Sequence, residues 1–119
     1  MSRTSRRGVP RACGDEPRGE LEQAIELDTN YGQAYSNLGL AYQKAGRTAQ
    51  AIWANRKAIA LASGSTANSV RASSYYNIAR IYEAAGQHSD ALTHYESAKR
   101  EKANPVYDKA IERVRAQLQ

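Results

Sequence analysis

His88, Ser89 and Asp90 stand in a row, and each belongs to a residue type that serves nucleophilic catalysis; His88 and His94 could also be read as a metal-binding pair. The spacing speaks against both. Neighbouring residues on a helix point about 100° apart, so three in succession cannot pass a proton along a relay. A helical metal pair needs ligands four residues apart. The two histidines are six apart, and they are the only two in the chain. Cys13 is the single cysteine, with no second thiol to close a disulfide or complete a ligand set. The segment GSTANS, residues 64–69, has the glycine and hydroxyls of a phosphate-binding loop. It lacks the lysine and the preceding strand that such a loop requires, and reads as a flexible connection. No catalytic residue, metal site or cofactor is therefore expected, and no enzyme activity.

The composition suits one soluble domain: 119 residues, 24% charged and 41% hydrophobic. No run of about 18 apolar residues could span a bilayer, and residues 1–19 lack the apolar core of a secretion signal, so a cytoplasmic location is expected. Net charge is +5. Residues 1–19 contribute +3, from five Arg against Asp15 and Glu16, and their Gly and Pro content without apolar periodicity predicts a disordered basic tail. The remainder is nearly balanced but unevenly distributed. No acid occurs between Asp28 and Glu83, while Lys44, Arg47, Arg56, Lys57, Arg71 and Arg80 all fall in that interval.

From Glu20 onward proline is absent until Pro105, and Ala, Gln, Lys, Glu and Leu predominate. That bias favours helix throughout, with no β-type alternation. Apolar residues at spacings of three and four predict helices over residues 20–28, 32–45, 48–62, 68–85 and 89–101, and a last one starting at Asn104-Pro105. Gly46 and Gly86 are placed to end helices in the left-handed conformation, and Thr48 to cap the third helix. Residues 63–69 read as a polar loop. Leu61 is expected inward, and Tyr107, Ile111, Val114 and Leu118 form the apolar stripe of the last helix.

Tyr35, Leu38, Gly39, Tyr42, Gly46, Ala51 and Ala58 recur, each forty residues on, as Tyr75, Ile78, Ala79, Tyr82, Gly86, Ala91 and Ala98. This pattern resembles the tetratricopeptide repeat, in which large residues of one helix fill the spaces left by small ones on its partner. The family period is about 34 residues, so the loop near residue 65 accommodates six more. The resemblance covers about 100 residues: a half repeat at 20–31, repeats at 32–65 and 72–105, and a capping helix at 105–118. Asn55 departs from it, standing where an aromatic residue is usual.

The resemblance implies an all-α, right-handed solenoid with a concave groove, lined by the first helix of each repeat, for an extended peptide or partner protein. The motif positions that face such a groove are Gln33, Ser36, Asn37, Leu40 and Lys44 in one repeat, and Ser73, Tyr76, Asn77, Arg80 and Ala84 in the next. Asn37 and Asn77 could each hold a peptide N–H and C=O, while Lys44 and Arg80 favour an acidic partner. A carboxylate-clamp function is not expected, because Ser36, Leu40, Tyr107 and Ile111 replace residues that it needs. Five tyrosines fall at core positions of the repeats, leaving only Tyr31, Tyr76 and Tyr107 to stack on nucleic acid, so that activity is not expected either. The alternative is a fragment of a larger enzyme or signalling protein whose repeats recruit substrate; nucleic-acid binding through the basic tail at 1–19, which has five Arg but no recognition motif, is a lesser alternative. Leu21 and Ile25 on the half repeat, which lacks its own first helix, are expected to leave an apolar edge that associates weakly with another copy or is covered by an upstream repeat.

Overall fold

The computed structural model describes residues 31–119, which form five α-helices and one short 3₁₀ turn, with no strand among them. The helices are α1 (Tyr31–Lys44), α2 (Thr48–Leu61), α3 (Ala67–Ala84), α4 (His88–Glu101) and α5 (Pro105–Gln117), and the turn is Gly64–Thr66. The basic tail at 1–19, the helix at 20–28 and the edge around Leu21 and Ile25 lie outside the described residues. None of the described helices is long and apolar enough to cross a membrane.

The two repeats close their first helices in the same way. Gly46 and Gly86 take φ of 80° and 79°, values that cost a side chain but not glycine. The N–H of Arg47 then bonds to the carbonyl of Tyr42, and the N–H of Gln87 to that of Tyr82, each at 2.9 Å. With the Gly46-to-Gln43 and Gly86-to-Glu83 bonds beside them, both ends are Schellman closures that turn the chain back within two residues. Three local expectations are corrected. Thr48 does not cap α2: the cap position is Arg47, with no side-chain bond. Leu61 and Leu118 face outward, 39% and 45% exposed, because each sits at a helix end beyond the last packed turn. The polar loop after α2 is partly helical, through the 3₁₀ turn. Asn104 caps α5, its Oδ1 accepting from the N–H of Val106 at 2.9 Å, with Pro105 at the first helical position.

α1 packs on α2 and α3 on α4; α3 also packs on both helices of the preceding pair, and α5 on α4. The small residues sit at these crossings. Ala51, Ala58, Ala79, Ala91 and Ala98 are all fully buried, so the helix backbones approach closely there. Leu38, Tyr42, Ala51, Ala54 and Ile81 make one apolar cluster between α1, α2 and α3. Ala79, Ala91, Tyr95, Ala110, Ile111 and Val114 make the next, between α3, α4 and α5. Ala72, Ala98 and Tyr107 make a third, smaller one between the same three helices, so the core is a row of clusters, each between a pair of helices and the helix that follows.

Candidate functional site

α1 turns one stripe to the surface, and α3 turns the equivalent one. Gln33, Asn37 and Lys44 are exposed and Leu40 is half-buried; Ser73, Arg80 and Ala84 are exposed and Tyr76 is half-buried. Gln33 Nε2 donates to Asn37 Oδ1 at 3.0 Å, one turn along the helix. Ser36 and Asn77, placed on the same faces by motif position, are instead buried, at 4% and 8% exposure.

The burial of Asn77 has a particular cause. Asn55, fully buried on α2, donates through Nδ2 to the carbonyl of Ala51 at 2.9 Å, and its Oδ1 accepts from Asn77 Nδ2 at 3.0 Å. Asn55 also lies against Gly39: a Cβ there would come within 2.3 Å of the amide nitrogen. One side chain thereby joins α1, α2 and α3. The next junction has no buried amide pair. Tyr95 stands forty residues after Asn55 and Ile111 thirty-four after Asn77, and the two share an apolar cluster with Ala79. The departure of Asn55 from the family pattern is therefore matched by Asn77, since a buried amide needs a polar partner. Comparing the two junctions position by position is the signal that sequence reading had available and missed.

Tyr76 forms a platform beside α5. Its ring centroid lies 5.7 Å from that of Tyr95 and 5.4 Å from that of Tyr107, and the Arg80 guanidinium sits over it at 5.8 Å. Tyr107, grouped among tyrosines outside the repeat core, is itself only 7% exposed. Burial pushes its hydroxyl pKa up.

Charge is divided along the molecule. Four ion pairs join α3, α4 and α5: Arg71–Glu101 at 3.1 Å, Lys99–Asp108 at 2.8 Å, Arg113–Glu83 at 2.7 Å and Arg115–Glu96 at 3.0 Å. Lys44, Arg47, Arg56, Lys57 and Arg80 have no carboxylate partner among the described residues, and neither do Arg100, Lys102 and Lys109, but every described acid lies at Glu83 or beyond, so α1 and α2 carry cations and no acid. Arg56 reaches the Tyr82 hydroxyl at 3.4 Å, and Lys57 lies over the Tyr35 ring at 5.9 Å. Glu83 is the most heavily engaged acid. Its Oε1 accepts from the Tyr95 hydroxyl at 2.7 Å and from Arg113 at 2.9 Å, and its Oε2 from Arg113 at 2.7 Å. The Arg113 hydrogen bonds outweigh partial burial and, with the Tyr95 bond, hold its carboxyl at about 2. Tyr95 is raised in turn, by burial first and then by its bond to Glu83.

His88 is half-buried, and Ser89 and Asp90 are exposed. His94 lies between the rings of Tyr75 and Tyr82, at 6.2 and 5.2 Å, with Nδ1 at 2.8 Å from the Asp90 carbonyl. Among the described residues no three His, Cys, Asp or Glu side chains group as a metal site would need.

A family model described as Tetratricopeptide repeat matches residues 30–100, the stretch that spans α1 to α4. The chain belongs to the tetratricopeptide repeat family. A search of the curated proteins gave no match. Tetratricopeptide repeats are in general protein-interaction modules, and the stripes of α1 and α3 described above stand on the first helix of each repeat.

Proposed function

We propose that this tetratricopeptide repeat chain is a non-catalytic interaction module that holds an extended, acidic segment of a partner protein across the exposed faces of α1 and α3. The observation that carries the reading is the charge division. Lys44 and Arg80 stand on those two faces without a carboxylate partner, while the cations of α5 that face α3 and α4 are paired within the molecule. An unpaired cation is attracted over a Debye length of about 8 Å at physiological salt, which is enough to steer an acidic segment to the face. Gln33, Asn37 and Ser73 supply exposed hydrogen-bonding groups along the same stripes, and Leu40 and Tyr76 supply apolar surface between them.

The test is binding of a fluorescent glutamate-rich peptide to the parent chain and to a Lys44→Glu, Arg80→Glu variant, with circular dichroism to confirm that the helices persist. The parent should bind, more weakly as salt rises, and the variant should lose most of its affinity. Equal affinities, or binding of single-stranded RNA in preference to the peptide, would overturn the proposal.

A further inference from the structure

Arg80 has an acid one helical turn away, at Glu83, and residues three apart on a helix are neighbours able to pair. A pair between them would neutralise the cation that the proposed peptide face depends on. In the structure that pair is absent. Both oxygens of Glu83 are occupied from the other side, by Arg113 of α5 in a two-pronged contact and by the Tyr95 hydroxyl of α4. Arg80 instead lies over the Tyr76 ring, and that ring is fixed by contact with Tyr95 and Tyr107.

We propose that Arg113, although outside the peptide-binding face, is a specificity-determining residue: by sequestering Glu83 it leaves Arg80 free, stacked on Tyr76, to receive a carboxylate of the partner segment. This rests on the reading of the α1 and α3 faces as an acidic-peptide site. The two-pronged geometry is what suits Arg113 to the task, since a guanidinium matches both carboxylate oxygens at once and a single N–H would leave one of them available. The nearby cations do not share the role. Arg115, two residues on in the same helix, is committed to Glu96, and Arg71 to Glu101. Released from Arg113, the Glu83 carboxyl loses the main cause of its lowered pKa, but the ordinary carboxyl value of 4.5 still leaves it ionised through the neutral range, so it would compete for Arg80 as a full negative charge.

The experiment compares Arg113→Ala, Arg115→Ala and the double variant Arg113→Ala, Glu83→Gln, with the glutamate-rich peptide as probe and thermal melting to confirm the fold. Arg113→Ala and Arg115→Ala each remove one positive charge and one ion pair from α5, so a difference between them reports the release of Glu83 and not net charge. Arg113→Ala should weaken binding about two- to five-fold, the scale of a single exposed ion pair competing for Arg80. Arg115→Ala should change it little. Removing the released charge with Glu83→Gln should restore the parent affinity. Equal losses for Arg113→Ala and Arg115→Ala, or a double variant no better than Arg113→Ala, would overturn the role of Arg113. If Arg80→Glu leaves peptide affinity unchanged, it is the peptide site itself that fails.

Discussion

Gly39 and Ala79 occupy the same motif position, yet they are not interchangeable. The position over α1 must admit the Asn55 amide, which is pinned by the Ala51 carbonyl and by Asn77, so it cannot withdraw from an added methyl group. Gly39→Ala should therefore destabilise the fold by about 1–3 kcal/mol through overpacking, more than the gain of about 0.5–1 kcal/mol that alanine brings to a helix. Ala79 is fully buried in the cluster with Tyr95, where its methyl group is already part of the packing. There the reverse change, Ala79→Gly, should cost about 1 kcal/mol in helix propensity alone. Urea denaturation of both variants checks the pair. A stabilising Gly39→Ala would mean that Asn55 is free to move, and that the Asn55–Asn77 bond is not the fixed link between the repeats.

The elements follow from the placement of small residues. Ala91 of α4 is fully buried within the cluster shared with α3 and α5, and its counterpart Ala51 is fully buried in the cluster of α1, α2 and α3. Closely packed interiors leave no room for three further carbons at such a crossing. Ala91→Leu should destabilise by about 1–3 kcal/mol, lowering the midpoint of denaturation, whereas the same change at exposed Ala84 should alter it little. Equal midpoints for the two variants would place the α3–α4 crossing elsewhere. α5 divides in the same way: Tyr107, Ala110, Ile111 and Val114 are buried, while Asp108, Lys109, Glu112, Arg113 and Arg115 are turned outward. An apolar stripe against α3 and α4 with charged residues on the opposite side is the pattern of an amphipathic helix packed on a core.

At the scale of the whole molecule, Glu83 ties three helices together, and its contribution depends on pH. The folded carboxyl is held at about 2, against an ordinary 4.5, mainly by its hydrogen bonds from Arg113. A carboxyl lowered on folding stabilises the native state wherever it is ionised in both states. That contribution is fully present above pH 4.5 and is lost progressively as pH falls from there towards about 2. Thermal melts over this range should show the parent losing stability more steeply than Glu83→Gln, with the two curves parallel at neutral pH. Equal slopes would show that acid sensitivity arises elsewhere. The Arg113 side chain is 52% exposed, so solvent and salt screen part of the interaction, and added salt should flatten the parent's acid limb.

Much of the fold was legible without coordinates because its causes are local. Helix propensity, apolar spacings of three and four, and glycines at positions needing a left-handed backbone are properties of short stretches, and they placed four helices from residue 32 onward to within a residue or so, the start of the last, and both Schellman turns. The forty-residue recurrence then identified the alanines of the crossings, because a repeated unit buries the same positions each time. What only the tertiary structure decided was the choice among distant partners. Asn77 looked like a surface amide until Asn55, twenty-two residues away, claimed it. Glu83 could have neutralised Arg80 on its own helix, but it pairs with Arg113, thirty residues on. Both outcomes turn on how closely α3 approaches α2 on one side and α5 on the other, and on the cost of leaving a buried amide or a partly buried carboxylate without a partner. No run of neighbouring residues encodes that distance.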